Sequence, residues 1–394
     1  MINLSAALVI FFSSFNLFFI LDRSDSLIGS WTVDYLLLKV YLGQLFLLLF
    51  LLLCLWQQKN QFFPWLKKNF LAISSLIFLL VVWCARLRAP LVAWQQLLTV
   101  GSLVWFAVIV RKKWQNRAPK LIINTVWALV IVQSLLAIYQ FCAQMPLFPY
   151  QVLGETNLHA ASDIAHVVWA GRSLIAPYGT FAHPNILAGT LVILLWWLWR
   201  QGRFSALWQK IATCLALFVI LLTQSWSAGL FLILLILSGL QSQKGTKVHY
   251  KWWALTLLVV LCPIVIQLGS RLWPQNLSFT RRAQLNQVAE QMFFTQPWLG
   301  VGPAQFTANV GDFWPGNQFT QPVHNVFLLF LAETGLIGCL CLFLFLRFTV
   351  QKSPRYWRRL FPSPLVLAAW LIFLSLDHYL LTSFWGLLLL LVFL

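Results

Sequence analysis

The alternation of long apolar stretches with short polar ones divides the chain into twelve runs near the length of helix, about twenty residues, that a bilayer core requires. They lie near 3–21, 35–56, 70–85, 91–110, 121–142, 181–199, 207–222, 226–240, 252–268, 324–346, 362–376 and 382–394. This pattern predicts an all-α, polytopic integral membrane protein of about twelve transmembrane helices. Most connections are short. Two are long, 143–180 and 269–323, and each has the periodicity of a short amphipathic helix lying on the membrane surface. The organisation that follows is helices 1–5 in 1–142, a loop in 143–180, helices 6–9 in 181–268, a large loop in 269–323 and helices 10–12 in 324–394. Leu4 to Leu21 lacks a charged start and a small-residue cleavage site, so it reads as a retained span.

Composition agrees with a membrane chain: 60% of positions are apolar and 9% charged, where soluble domains carry about a quarter charged residues. With 33 Phe and 22 Trp the chain is too apolar to stay disordered. The formal charge of +18 raises a nucleic-acid reading, which the positions of the charges dispose of. Alternate connections hold 19 basic residues and no acid, the others 8 of each, and Glu333 falls inside a run. Retention of Lys and Arg on the cytoplasmic side then puts both termini inside and the two long loops outside. The partner implied is a lipid bilayer, not nucleic acid. Cys54, Cys84, Cys142, Cys214, Cys262, Cys339 and Cys341 lie in or beside apolar runs without metal-site spacing and read as buried small residues; only Cys84 and Cys142 lie near the outer face.

Long loops at one surface direct attention to chemistry at the outer leaflet. In the larger one, Ser278 or Thr280 precedes a helical pattern in which Leu285, Val288, Ala289, Met292 and Phe293 form an apolar stripe against Gln284, Asn286, Gln287, Glu290 and Gln291. Arg281 and Arg282 fall in its first turn. Cations there oppose the helix dipole by about 0.3–1 kcal/mol each unless an anion is shared, and guanidinium groups beside free N–H groups suit a phosphate or diphosphate. Contact with lipid headgroups is the alternative. Pro297 ends the helix, and Gly300 and Gly302 provide a tight turn. The loop closes on His324-Asn325. An imidazole at the mouth of a helix is kept neutral by the dipole, as a general base needs, although an interfacial cap uses the same position. Glu333 lies about 14 Å further along that helix, followed by Gly335 and Gly338, and either serves function or pins close helix packing.

In the smaller loop, Leu158, Ala161, Ile164, Ala165 and Val168 suggest a surface helix over Asn157 to Ile175, with His159, Asp163 and His166 on its other face. No fourth ligand is in view, so these read as a wet face and not a metal site. Arg172 follows, and His183-Pro184-Asn185 leads into the sixth run, with Pro184 at a helix start.

Gly179-Thr-Phe-Ala-His-Pro-Asn-Ile-Leu-Ala188, Pro297-Trp-Leu-Gly-Val-Gly302 and His324-Asn325 with Glu333-Thr-Gly-Leu-Ile-Gly338 resemble, in order and spacing, the serial motifs of the O-antigen ligase and polymerase superfamily. The resemblance implies a membrane glycosyltransferase at the outer face of the bacterial cytoplasmic membrane. It would move a glycan from a polyprenyl-diphosphate carrier to a glycan, lipid or protein acceptor, with no cofactor and no metal. It further implies His324 as the base and Arg281 or Arg282 as the diphosphate ligand, with Asn325, Glu333, His183, Asn185, Gly300 and Gly302 in support; Arg172, in the neighbouring loop, is the secondary candidate for the diphosphate, replacing a family arginine that this chain lacks. Ligase, polymerase and protein glycosylase are not separated by the motifs. One departure is Trp226, in Gln224-Ser-Trp-Ser227, where the family commonly has arginine. A transporter of polyprenyl-linked lipid is the competing expectation.

Overall fold

The computed structural model describes residues 1–28, 31–114, 117–158, 164–202, 206–243, 261, 264–273, 275, 277–314, 320–352, 357, 361 and 363–393. His159, Asp163, Cys262 and most of the expected span 252–268 lie outside the described residues. The fold is helical with three small antiparallel ribbons. In chain order, α1 is Ile2–Ser13, and β1 (Phe18–Asp22), β2 (Leu27–Ile28), β3 (Trp31–Thr32) and β4 (Leu38–Tyr41) form two ribbons. The helices α2 (Leu42–Cys84), α3 (Pro90–Trp114) and α4 (Lys120–Ala143) follow, then the short α5 (Tyr150–Leu153) and the hairpin of β5 (His166–Trp169) and β6 (Arg172–Ile175). Next come α6 (Pro184–Arg200), α7 (Leu207–Thr223) and α8 (Trp226–Gln243). The last elements are α9 (Leu277–Thr295), α10 (Phe306–Phe313), α11 (Val326–Lys352), α12 (Pro364–Leu376), α13 (Tyr379–Thr382) and α14 (Phe384–Leu388).

Among the described residues, four helical segments are long and apolar enough to cross a bilayer: Leu42–Lys59, Pro90–Trp114, Lys120–Ala143 and Val326–Gln351. Six shorter apolar helices accompany them, so the twelve runs of the sequence, several of them short, are not matched one for one among the described residues. The first run is the clearest difference. The Ser13 and Ser14 hydroxyls donate to the Val9 and Phe11 carbonyls, competing with helix continuation, and α1 stops there. Residues 18–22 and 38–41, placed within spans by hydropathy alone, instead pair as β1 and β4. The expected second and third spans form one helical element, α2, of 43 residues with Pro64 inside it. Straight, it would run about 64 Å at 1.5 Å per residue. Gln44 nevertheless donates to Thr99 at 3.0 Å, and residues 85–98 are too short to return the chain along a straight helix of that length, so the element turns back on itself.

One core joins α1–α4, α6–α8 and the C-terminal helices around Phe50, Phe106, Trp127, Phe231 and Trp370. A second joins α9, α10 and α11. Leu285, Val288, Ala289 and Met292 pack there against Phe306, Val310, Leu329 and Ala332. The stripe expected to lie on lipid is thus spent on protein, and Asn286, expected on the wet face, is 4% exposed. The smaller loop also departs from expectation. Residues 166–175 form a hairpin because Ala170 and Gly171, both at positive φ (49° and 77°), make a two-residue turn that a helix cannot contain. The six described cysteines are free thiols, and Cys142, Cys214 and Cys341 are exposed, not buried.

The two glycine motifs meet inside the membrane-length helix α11. At Gly335 (φ 62°, ψ −164°) the helix is broken. The turn 297–302 fills the break: Val301 and Gly302 N–H groups donate to the Ala332 and Glu333 carbonyls, and Leu336 and Ile337 N–H groups donate to Pro297 and Trp298. Unsatisfied backbone groups at membrane depth cost several kcal/mol each, so each motif completes the other. The approach leaves no room for side chains. A Cβ on Gly335 would lie 2.5 Å from the Trp298 carbonyl carbon, and one on Gly300 2.4 Å from that of Glu333. Gly335→Ala is therefore expected to cost about 2–4 kcal/mol. Gly311→Ala, where a Cβ meets nothing within 4 Å, should change stability by less than about 0.5 kcal/mol. Thermal unfolding of both variants in detergent tests the difference; equal melting temperatures would refute the interlock.

Candidate functional site

Three chain segments converge on one recess. Asn325 is buried and caps α11, its Oδ1 accepting from the Phe327 and Leu328 N–H groups at 2.9 and 3.1 Å, which fixes His324 just ahead of the helix. His183 caps α6 through Nδ1, which accepts from the Asn185 N–H at 3.1 Å. Asp377 and His378 occupy the connection between α12 and α13, where the His378 N–H donates to Asp377 Oδ1 at 2.9 Å and His378 Nδ1 meets Thr382 Oγ1 at 2.8 Å. The His324 and His378 rings lie 4.8 Å apart at 66°. His324 Nδ1 is 4.0 Å from Asp377 Oδ1, beyond hydrogen-bond range, and is buried without a partner.

Burial, and after it the charge of Arg282 on α9, sets the protonation of these groups. Burial lowers the pKa of His183 to about 4, with Arg282 adding to the effect. Burial also lowers His324 well below the usual imidazole value, and His378, Arg282 and His183 push the same way. His378 is brought down to about 3, again by burial first and then by His183 and Arg282. Burial raises Asp377 to about 6 against the opposing pull of Arg282. At neutral pH the recess thus holds three uncharged imidazoles, a carboxylate and a guanidinium. His183 remains reachable from outside although protein surrounds it, as expected of a group lining an open recess.

The other expected residues divide. Arg281 is half-buried beside Arg282. Both stand four or five residues into α9, which begins at Leu277, so they are not in its first turn and the dipole argument for an anion does not hold there. Ser278 and Thr280 likewise lie within the helix, not before it. Arg172 sits on the exposed hairpin opposite Trp169 and, among the described residues, makes no hydrogen bond or ion pair with the cluster. Trp226 is 91% exposed. Gln224, just before it, donates to the Val168 carbonyl of the hairpin, so the position where the family has arginine adjoins the Arg172 hairpin. Glu333 accepts from the Phe306 N–H at 3.2 Å and, with Gly300 and Gly302, belongs to the interlock. Asn185 contributes its backbone N–H to the His183 cap.

Asp377 and His378 are the functional candidates that sequence reasoning missed. The available signal was an acid and a histidine, adjacent, between the last two apolar runs. His324, Asp377 and His378 bring three potential ligand atoms within 4.8 Å of one another, a donor set suited to a divalent cation. The nearby Arg282 charge, which disfavours imidazolium, disfavours a cation by the same physics.

Residues 211–343 match the family model described as O-antigen ligase. That range contains Arg281, Arg282, Gly300, Gly302, His324, Asn325 and Glu333 and stops short of Asp377 and His378. No curated protein and no solved structure matches the chain significantly. The match supports a membrane glycosyltransferase or ligase-like role acting on lipid-linked glycan. Residues 211–343 of this multi-pass, largely apolar helical chain are thus similar to the O-antigen ligase family.

Proposed function

We propose that this chain transfers a glycan from a polyprenyl-diphosphate carrier to an acceptor hydroxyl or amine at the outer face of the bacterial cytoplasmic membrane. The observation that carries the reading is the convergence of Arg282, His324 and Asp377, from three separate segments, on one recess. His324 takes the acceptor proton, the acceptor attacks the anomeric carbon, and the bond from that carbon to the diphosphate oxygen breaks with inversion. The leaving diphosphate takes the bonding electrons, and Arg282, with Arg281 beside it, neutralises its charge, as preorganised cations do in other group transfers. Asp377 stabilises the imidazolium that forms; its 4.0 Å separation from His324 closes in the loaded complex, as catalytic hydrogen bonds do.

Arg282 gives the recess a further property. Its charge depresses His324 in the free protein. A bound diphosphate screens that charge, so the proton affinity of His324 rises when the donor arrives. The base strengthens only when there is a reaction to perform, and its pKa moves toward the operating pH, where general bases work best. A guanidinium serving this electrostatic role makes a metal ion unnecessary.

In proteoliposomes supplied with lipid-linked glycan and acceptor on one side, His324→Ala is expected to lower transfer by about 10²–10⁴-fold while carrier binding persists. Arg282→Ala should weaken carrier binding by about 10- to 100-fold. Carrier translocation without product would support a transporter instead, and loss of activity in EDTA with recovery on adding a divalent cation would support a metal site at His324, Asp377 and His378.

The pH profile offers a second test. Asp377, raised to about 6, is ionised above that value and protonated below it, so kcat/KM should fall as pH drops through about 6. Asp377→Asn should give a low rate without that limb. A limb unchanged in the variant would exclude Asp377 as its source.

A further inference from the structure

Beside the histidine pair lies a cavity of about 570 Å³ whose wall includes His378, bounded by the β1–β4 ribbon, α3, α10 and the C-terminal helices. Its size is within the ~300–1,000 Å³ of small-molecule sites. Its lining differs from that of a lipid groove. Tyr35, Tyr41 and Trp385 present aromatic rings, and Asn16, Gln96 and Thr307 present amides and a hydroxyl. Several of these polar groups are unspent. Among the described residues, the Asn16 amide, the Tyr35 hydroxyl, the Thr307 hydroxyl and the Gln96 carbonyl oxygen have no hydrogen-bond partner, while the Gln96 amide donates to the Leu381 carbonyl at 2.9 Å. Aromatic faces with hydrogen-bonding groups at their edges match a pyranose, which has an apolar C–H face and an equatorial rim of hydroxyls.

Charge narrows the class. Lys39 lines the cavity, but its ammonium is paired with Asp34 at 2.6 Å and lies over the Phe18 ring at 4.4 Å. Its cation is already matched and does not call for an anionic sugar. Arg282 acts on His183, His324, Asp377 and His378, whereas the Tyr35 ring meets the His378 ring at 5.7 Å. His378 therefore belongs both to the cavity wall and to the histidine pair.

We infer that this cavity is the glycan subsite, and that it holds neutral pyranose rings of hexose or N-acetylhexosamine type with the bond to be made or broken near His378 and His324. The inference rests on the proposed transfer reaction. The sugars belong either to the donor, next to its diphosphate, or to the acceptor, next to its nucleophilic hydroxyl; the chemistry that recognises them is the same.

The test is equilibrium binding to the purified full chain in detergent. The probes are bare polyprenyl diphosphate, the same carrier bearing neutral hexose or N-acetylhexosamine disaccharides, and those disaccharides free. If the donor's sugars occupy the cavity, the glycosylated carrier binds about tenfold more tightly than the bare one. Tyr35→Phe with Asn16→Ala then removes that increment and leaves bare-carrier affinity unchanged. If the acceptor's sugars occupy it, the free disaccharides bind, the double variant weakens them about tenfold, and the carrier shows no increment. Tyr35→Phe alone, which keeps the ring, should give an intermediate loss and guards against misfolding of the double variant. No probe responding to either variant would overturn the inference. Arg282→Ala keeps the two readings apart: undiminished binding of bare carrier in that variant would sink the diphosphate site whatever the sugars do.

Discussion

Four backbone hydrogen bonds between the 297–302 turn and the broken stretch of α11 fix the distance on which the site depends. Arg282 belongs to the helix that runs into this turn, and His324 stands at the start of the helix that the turn enters. Without the interlock, α9 and α11 would rest on the apolar contacts of Leu285, Val288, Ala289 and Met292, which resist separation but tolerate sliding. Paired backbone groups do not slide. Because they are satisfied only in one register, the break at Gly335 turns a loop and a helix into a single rigid support.

The recess depends on an electrostatic compromise that this support makes possible. Three imidazoles crowd one guanidinium, and burial together with that charge keeps them uncharged. Asp377 answers part of the positive potential from the opposite direction in sequence. A site built this way is incomplete without an anion, since its guanidinium has more neutral neighbours than counter-charges. In the proposed reaction the diphosphate of a lipid carrier supplies that anion.

The β1–β4 ribbon has a related role. By ending α1 at Ser13 and returning the chain at Leu42, it packs Val33 and Leu36 against Ala89 and Val92 and places Asn16, Tyr35 and Tyr41 on the cavity wall beside His378. Polar groups turned into a cavity gain from a partner that can hydrogen-bond, and a sugar provides partners in a geometry that lipid cannot.

Much of this was legible in one dimension. Hydropathy gave a membrane-embedded helical chain, and the spacing of Gly300, Gly302, His324 and Asn325 marked the connection before α11, because turns and caps depend on residues close in sequence. The structure brings Arg282 within electrostatic reach of His324, but not Arg172, which a positive-φ turn at Ala170-Gly171 carries onto an exposed hairpin. Periodicity alone could not show that the stripe on α9 faces protein, since lipid and core offer an apolar surface equally. Asp377 and His378 went unrecognised because their partners lie some fifty to two hundred residues away. Local chemistry was therefore written in the sequence, whereas the meeting of positions 183, 282, 324 and 377 was decided by packing and by the backbone pairing at Gly335.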